Sequence, residues 1–128
     1  QFVIGNGGKV FQICDPMMSC NHAGKSKWEG VDGLNRHSIG IEYVNYGFGF
    51  PKKHHASVML AHKREPGQIK PWEVFPEAQI IAGVALTKWL FENIPTLKES
   101  LGHDDISPGR KSDPGPAFPM DRMRAVSK

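Results

Sequence analysis

Short apolar runs at both ends of a glycine-rich turn open the chain. Residues 2–4 and 9–14 are rich in β-branched and aromatic side chains, and Gly5-Asn6-Gly7-Gly8 lies between them, a pattern that predicts a hairpin. Residues 38–45 read SIGIEYVN, in which Ile39, Ile41 and Tyr43 alternate with Ser38, Gly40 and Glu42. The small residues of the second set predict a central strand with both faces covered. Over residues 76–93, Ile80, Ile81, Val84, Ala85, Trp89 and Leu90 recur at helical spacing. Pro76 and Glu77 suit a first turn and Pro95 stops the run, so a core helix packed on the sheet is expected, with Trp89 inside.

Between these elements the chain reads as loop. Residues 15–32 are broken by Pro16, Gly24 and Gly30, with His22 and Trp28 as the distinctive side chains. Residues 46–73 are interrupted by glycine and proline; a short strand at residues 57–61 is expected. Residues 102–120 hold four prolines and three glycines, which forbid a continuous helix or central strand. A final short helix is expected over residues 117–124, with a frayed end. The result is a mixed α/β fold: a central sheet flanked by the long helix, with a groove built from loops.

At 128 residues the chain fits one domain, and a chain of that size buries roughly two thirds of its unfolded surface. Its net charge of +3 would suit a polyanionic partner. The basic residues are nevertheless scattered, apart from Lys52, Lys53 and the Lys63–Arg64 pair, and no nucleic-acid-binding motif accompanies them. No apolar stretch is long enough to span a bilayer, and no basic-then-apolar leader opens the chain, which reads as soluble. The first residue is Gln1 rather than methionine, so an upstream segment is expected to have been removed or left out. Cys14 and Cys20 are too few for a disulfide scaffold; a bridge is expected only outside the cytosol, and a reduced pair is favoured.

Two places concentrate chemistry. Glu42 sits in a strand expected to be buried, where an unpaired carboxylate is costly. It calls for either a salt bridge or acid/base work, for which a low-dielectric site usefully raises a carboxyl pKa. The loop at residues 102–120 carries His103, Asp104, Asp105, Arg110, Lys111 and Asp113. A histidine and an aspartate brought together by a rigid loop suit a borderline metal such as zinc, though a polar surface loop has the same composition. His54, His55 and His62 also invite a metal reading, but histidines beside lysines more often form a solvated basic turn. Trp72 is the first candidate for a groove wall in that region.

The order of the residues adds to this. GHDDISPGRKSDPGPAF resembles the C-terminal signature of the zinc-dependent N-acetylmuramoyl-L-alanine amidases, a family related to amidase-type phage lysozymes and peptidoglycan recognition proteins. The resemblance implies that His103 and Asp113 are zinc ligands and that Lys111 assists catalysis. NRHSIGIEYVN resembles the family's N-x-x-S-I-G-I-E segment, which makes Glu42 catalytic and sets Asn35 beside the groove. NHAGKSKWEG resembles its His-Ala-Gly loop, with His22 placed to hydrogen-bond substrate and Trp28 to pack on sugar or peptide. His22 could equally hold the loop through backbone contacts. FVIGNGGKVFQI extends the likeness over nearly the whole chain.

The implied protein is a peptidoglycan or muropeptide amidase of bacterial or phage origin, endolysin-like and bacteriolytic, using Zn2+. It would act in the periplasm, outside the cell or at a wall reached by a phage. A catalytic zinc normally has three protein ligands, and the family's first is a histidine on a strand upstream of the hairpin, which this chain lacks. Three expectations follow: a missing N-terminal segment, a zinc-free wall-binding relative, or replacement of the ligand by His22, His37, His54, His55 or His62.

Overall fold

The computed structural model describes residues 1–49 and 56–127. Its first elements are the expected hairpin: β1 (Phe2–Ile4) pairs antiparallel with β2 (Val10–Gln12), Phe2 opposite Gln12 and Ile4 opposite Val10. On the other side of β1 lies β5 (Ile41–Tyr43), parallel, with Val3 opposite Glu42. Among the described residues the sheet order is β2-β1-β5, so β1 is central there and β5 lies at an edge, not in the middle as expected. Alternation along β5 sends Ile41 and Tyr43 into the apolar clusters, while Glu42 points to the opposite, solvent-exposed face. The expected burial of Glu42 therefore fails, because periodicity reports alternation and not whether the second face is covered.

The loop over residues 15–32 contains a small ladder, β3 (Lys27–Trp28) with β4 (Val31–Asp32), followed by a 3₁₀ turn at Leu34–Arg36. Cys14 and Cys20 are joined in a disulfide, against the reduced pair favoured from sequence. A second hairpin pairs β6 (Ser57–Ala61), as expected, with β7 (Ile69–Glu73). His54 and His55, with Lys52 and Lys53, lie outside the described residues. No described helix is long and apolar enough to cross a membrane.

The long helix α1 (Glu77–Asn93) begins after Pro76, and the Ile94 amide still reaches the Leu90 carbonyl at 2.8 Å before Pro95 ends it. Its buried face is Gln79, Ile80, Gly83, Thr87, Leu90 and Phe91. Ile81, Ala85 and Trp89 lie outside that face, and Trp89 is 50% exposed rather than in the core. Two polar contacts fix this rotation. The Gln79 side-chain amide donates to Ile4 O at 2.9 Å and to Val44 O at 3.0 Å, tying α1 to the ends of β1 and β5. Gly83 receives the Tyr43 hydroxyl so closely that any Cβ there would collide with it.

One apolar cluster joins Phe75, Ile80, Phe118 and Met123, with Tyr43 packed against it; the other joins Phe2, Leu90 and Ile94. The Tyr43, Phe75 and Phe118 rings meet edge to face, with centroids 4.7–6.4 Å apart. Burial pushes the Tyr43 phenol up to about 12. Phe118 anchors the far end of the loop at residues 102–120, whose near end is a one-turn helix not expected from sequence, α2 (His103–Ile106). The last helix, α3 (Met120–Arg124), is held to α1 by Arg122 and Glu77 at 2.8 Å.

Asp105 joins α2 to its surroundings. It accepts from the Gly102 amide, from Lys63 Nζ and from Arg124. Burial alone would raise this carboxyl, but the Lys63 and Gly102 hydrogen bonds and the Lys63 and Arg124 charges outweigh it and hold it below the ordinary range. A carboxyl depressed on folding contributes stability above its unfolded pKa of about 3.9, and that contribution is lost as pH falls through the folded value. Urea midpoints are expected to drop below about pH 4, and to drop less in Asp105→Asn.

Candidate active site

His103 opens α2 and Asp113 lies ten residues on, and the backbone brings them together: Asp104 N–H donates to Asp113 O at 2.8 Å. The Asp113–Pro114 peptide is cis. His103 Nδ1 faces Asp113 Oδ2 at 2.8 Å. On the ring's other side, Nε2 lies 3.0 Å from the Ala23 carbonyl. The Ala23 carbonyl and the Asp113 carboxylate both only accept, so the ring nitrogens meet them as donors, and a cation held between Nδ1 and Oδ2 would take the place of the Nδ1 proton.

The Ala23 carbonyl is itself held in place. Asn35 Oδ1 accepts from the amides of His22, at 3.0 Å, and Ala23, at 2.8 Å. Arg110 donates to Ala23 O at 2.6 Å and to Lys25 O at 3.1 Å, and Ser107 Oγ also donates to Lys25 O. The His-Ala-Gly stretch is thus stapled to the loop at residues 102–120. From sequence Arg110 stands among the chemistry-bearing residues of this loop without a role, and Ser107 has no signal beyond its place inside the window.

His22 packs its ring on Gly40, where a Cβ would meet it at 2.6 Å. Its Nδ1 donates to Cys20 O at 2.8 Å and its Nε2 pairs with the Ser38 hydroxyl at 2.9 Å. Burial pushes this imidazole below its ordinary value, against the opposing pull of the Cys20 carbonyl and the Glu42 charge. Gly40 and Glu42 are two apart on β5's line and share a face, which brings Glu42 into the field of His22. Gly40→Ala should displace the ring and lower the unfolding free energy by about 1–3 kcal/mol, as overpacking does; urea titration checks this.

His22, Asn35, His103 and Lys111, with Asn21 and Arg110, line one open cleft of about 450 Å³. Asp113 joins them through His103. Trp28 does not line the cleft, and its indole N–H donates to Glu99 at 2.6 Å. Trp72 is 2% exposed, inside the fold rather than on a groove wall, and His62 is buried rather than in a solvated turn. Among the described residues no three His, Cys, Asp or Glu side chains converge as metal ligands, so His22, His37 and His62 do not complete a set with His103 and Asp113.

The two-residue donor set still fits a metal. An imidazole nitrogen and a carboxylate oxygen face each other, and the outer ring nitrogen donates to a carbonyl, the arrangement that orients a metal-binding histidine.

N-acetylmuramoyl-L-alanine amidase AmiD of Escherichia coli (strain K12) is 32% identical over 116 residues, 90% of this chain and 37% of that protein. The 1,6-anhydro-N-acetylmuramyl-L-alanine amidase AmpD of Enterobacter cloacae is 31% identical over 125 residues, 97% of this chain and 54% of AmpD. This chain thus spans between about a third and about half of these relatives. The solved complex of E. coli AmiD with the substrate anhydro-N-acetylmuramic acid-L-Ala-D-gamma-Glu-L-Lys superposes with a TM-score of 0.76 at 28% identity, over 98% of this chain and 46% of that one. The model of the Amidase_2 family, described as N-acetylmuramoyl-L-alanine amidase, matches residues 1–116, and the chain belongs to that family.

Proposed function

We propose that this domain hydrolyses the amide between the lactyl group of N-acetylmuramic acid and the L-alanine of the stem peptide. The observation that carries this is the facing of His103 Nδ1 and Asp113 Oδ2 beside a polar cleft, in a chain of the amidase family. His103 and Asp113 are the residues that would hold zinc. When bound, zinc polarises a carbonyl and lowers the pKa of water to about 7.

The chain's own groups do the rest. Glu42, on the open face of β5, takes the proton of the attacking water and returns it to the alanine nitrogen as the C–N bond breaks. Lys111, in the cleft wall, offsets the charge that develops on the carbonyl oxygen. His22 and Asn35 keep the cleft wall in place through the Cys20, Ser38 and Ala23 contacts, and Asn21 and Arg110 add polar groups toward substrate.

The Cys14–Cys20 bridge supports an oxidising setting, periplasmic or extracellular, or a wall reached by a phage, with lysis as the use if intact wall is cut. A second reading, a wall-binding module that does not cut, draws on the absence of a third convergent ligand among the described residues. Product analysis separates them. Zinc-loaded protein acting on a muropeptide releases a peptide with a free L-alanine amino group; a binding module retains wall material and releases no amine at any zinc concentration.

A further inference from the structure

His62-Lys63-Arg64, which follows β6, has the composition of a solvated basic run, yet the whole run grips α2. His62 is 6% exposed and its Nε2 lies 2.9 Å from Asp104 Oδ2, itself on a residue 5% exposed. Lys63 Nζ lies 3.0 Å from the same oxygen and 2.5 Å from Asp105 Oδ1. Arg64 donates to the Asp104 carbonyl at 2.8 Å. Asp104 is the neighbour of His103, and its amide holds the Asp113 carbonyl.

The hairpin reaches Asp113 by a second route. The His62 ring stacks on Trp72, with centroids 6.2 Å apart and planes at 28°. Trp72 donates to Leu60 O at 3.1 Å and closes on Gly115, where a Cβ would collide with the indole. Gly115 stands two residues after Asp113, so the hairpin holds the facing pair from both sides. A buried carboxylate without partners is unstable, and Asp104 can occupy this place only while His62 and Lys63 serve it.

We propose that His62 is a positioning residue for the metal-binding pair: through Asp104 it fixes α2, so the β6–β7 hairpin sets how tightly His103 and Asp113 hold a cation. The metal's identity rests on the amidase reading above, whereas the geometric coupling does not.

His62→Phe keeps a ring on Trp72 but removes the donor, while His62→Gln restores a donor without the ring. Two readouts apply: zinc affinity by chelator competition, and the His103 imidazole signals in NMR spectra of the metal-free protein. His62→Phe is expected to weaken zinc up to about 10-fold, the low end of what losing a hydrogen bond made directly to a ligand causes, because His62 acts one residue removed, through Asp104. It should also move the His103 signals, and His62→Gln should recover most of both.

Unchanged zinc affinity with unmoved His103 signals in folded His62→Phe overturns the proposal, as does an equal loss in His62→Gln. If His62→Phe does not fold, Lys63→Met, at a half-exposed position, decides by the same two readouts. A wild-type chain that takes up no zinc would defeat the zinc reading, and the His103 signals would still decide this one.

Discussion

Asp113→Ala is expected to abolish zinc binding and, with it, the proposed hydrolysis. The carboxylate supplies one of the two donors that face each other across 2.8 Å, and a lone imidazole does not retain a divalent ion. The loss should exceed the about 10–100-fold that removal of an outer hydrogen bond causes. Folding should survive, because the Asp113 side chain is 55% exposed and its backbone carbonyl, not its side chain, accepts from Asp104. Trimming an exposed ion pair changes stability by less than about 1 kcal/mol. Elemental analysis beside a urea titration separates the two effects: zinc gone and midpoint kept. A variant that keeps its zinc would remove Asp113 from the ligand set.

Glu42→Gln should leave zinc content and folding unchanged and lower kcat by about 10²–10⁴, the range that positioned proton transfer contributes. Glutamine keeps the shape and the exposure of the side chain but can no longer take a proton from water or deliver one to the leaving nitrogen. Because Glu42 lies on the open face of β5 and not in the core, the substitution brings no packing change to confuse the result. Lys111→Ala should show the same pattern, low kcat with zinc retained, through loss of charge at the oxyanion. Full activity in Glu42→Gln would mean that another group carries the proton.

Local chemistry made much of this legible in the sequence. Gly5-Asn6-Gly7-Gly8 between β-branched runs could only be a turn, Pro76 and Pro95 bracket α1 closely, and the window from Gly102 to Phe118 holds His103 and Lys111, which line one cleft, and Asp113, which faces His103. The errors came from information that lies far away in the chain. Near-continuous apolar residues in α1 left its rotation undetermined; Gln79 settles it by reaching Ile4 and Val44, which put Trp89 outside. The strand at Glu42 alternates correctly, yet nothing in eight residues tells an edge from a centre.

Charge runs were the hardest to read. His62-Lys63-Arg64 looks like surface until the partners of His62 and Arg64 on Asp104, about forty residues later, are known. Asn35 shows the reverse case. Its place beside the groove was expected, but its work, capturing two consecutive amides so that Ala23 O meets His103, is a three-dimensional fact.

The most direct test is mass spectrometry of the products after the zinc-supplemented protein acts on anhydro-N-acetylmuramic acid-L-Ala-D-gamma-Glu-L-Lys, the ligand in the AmiD complex. Two products, the sugar with a free lactyl carboxylate and the peptide with a free L-alanine amine, are the predicted result. Intact substrate, or cleavage at any other bond, would contradict it.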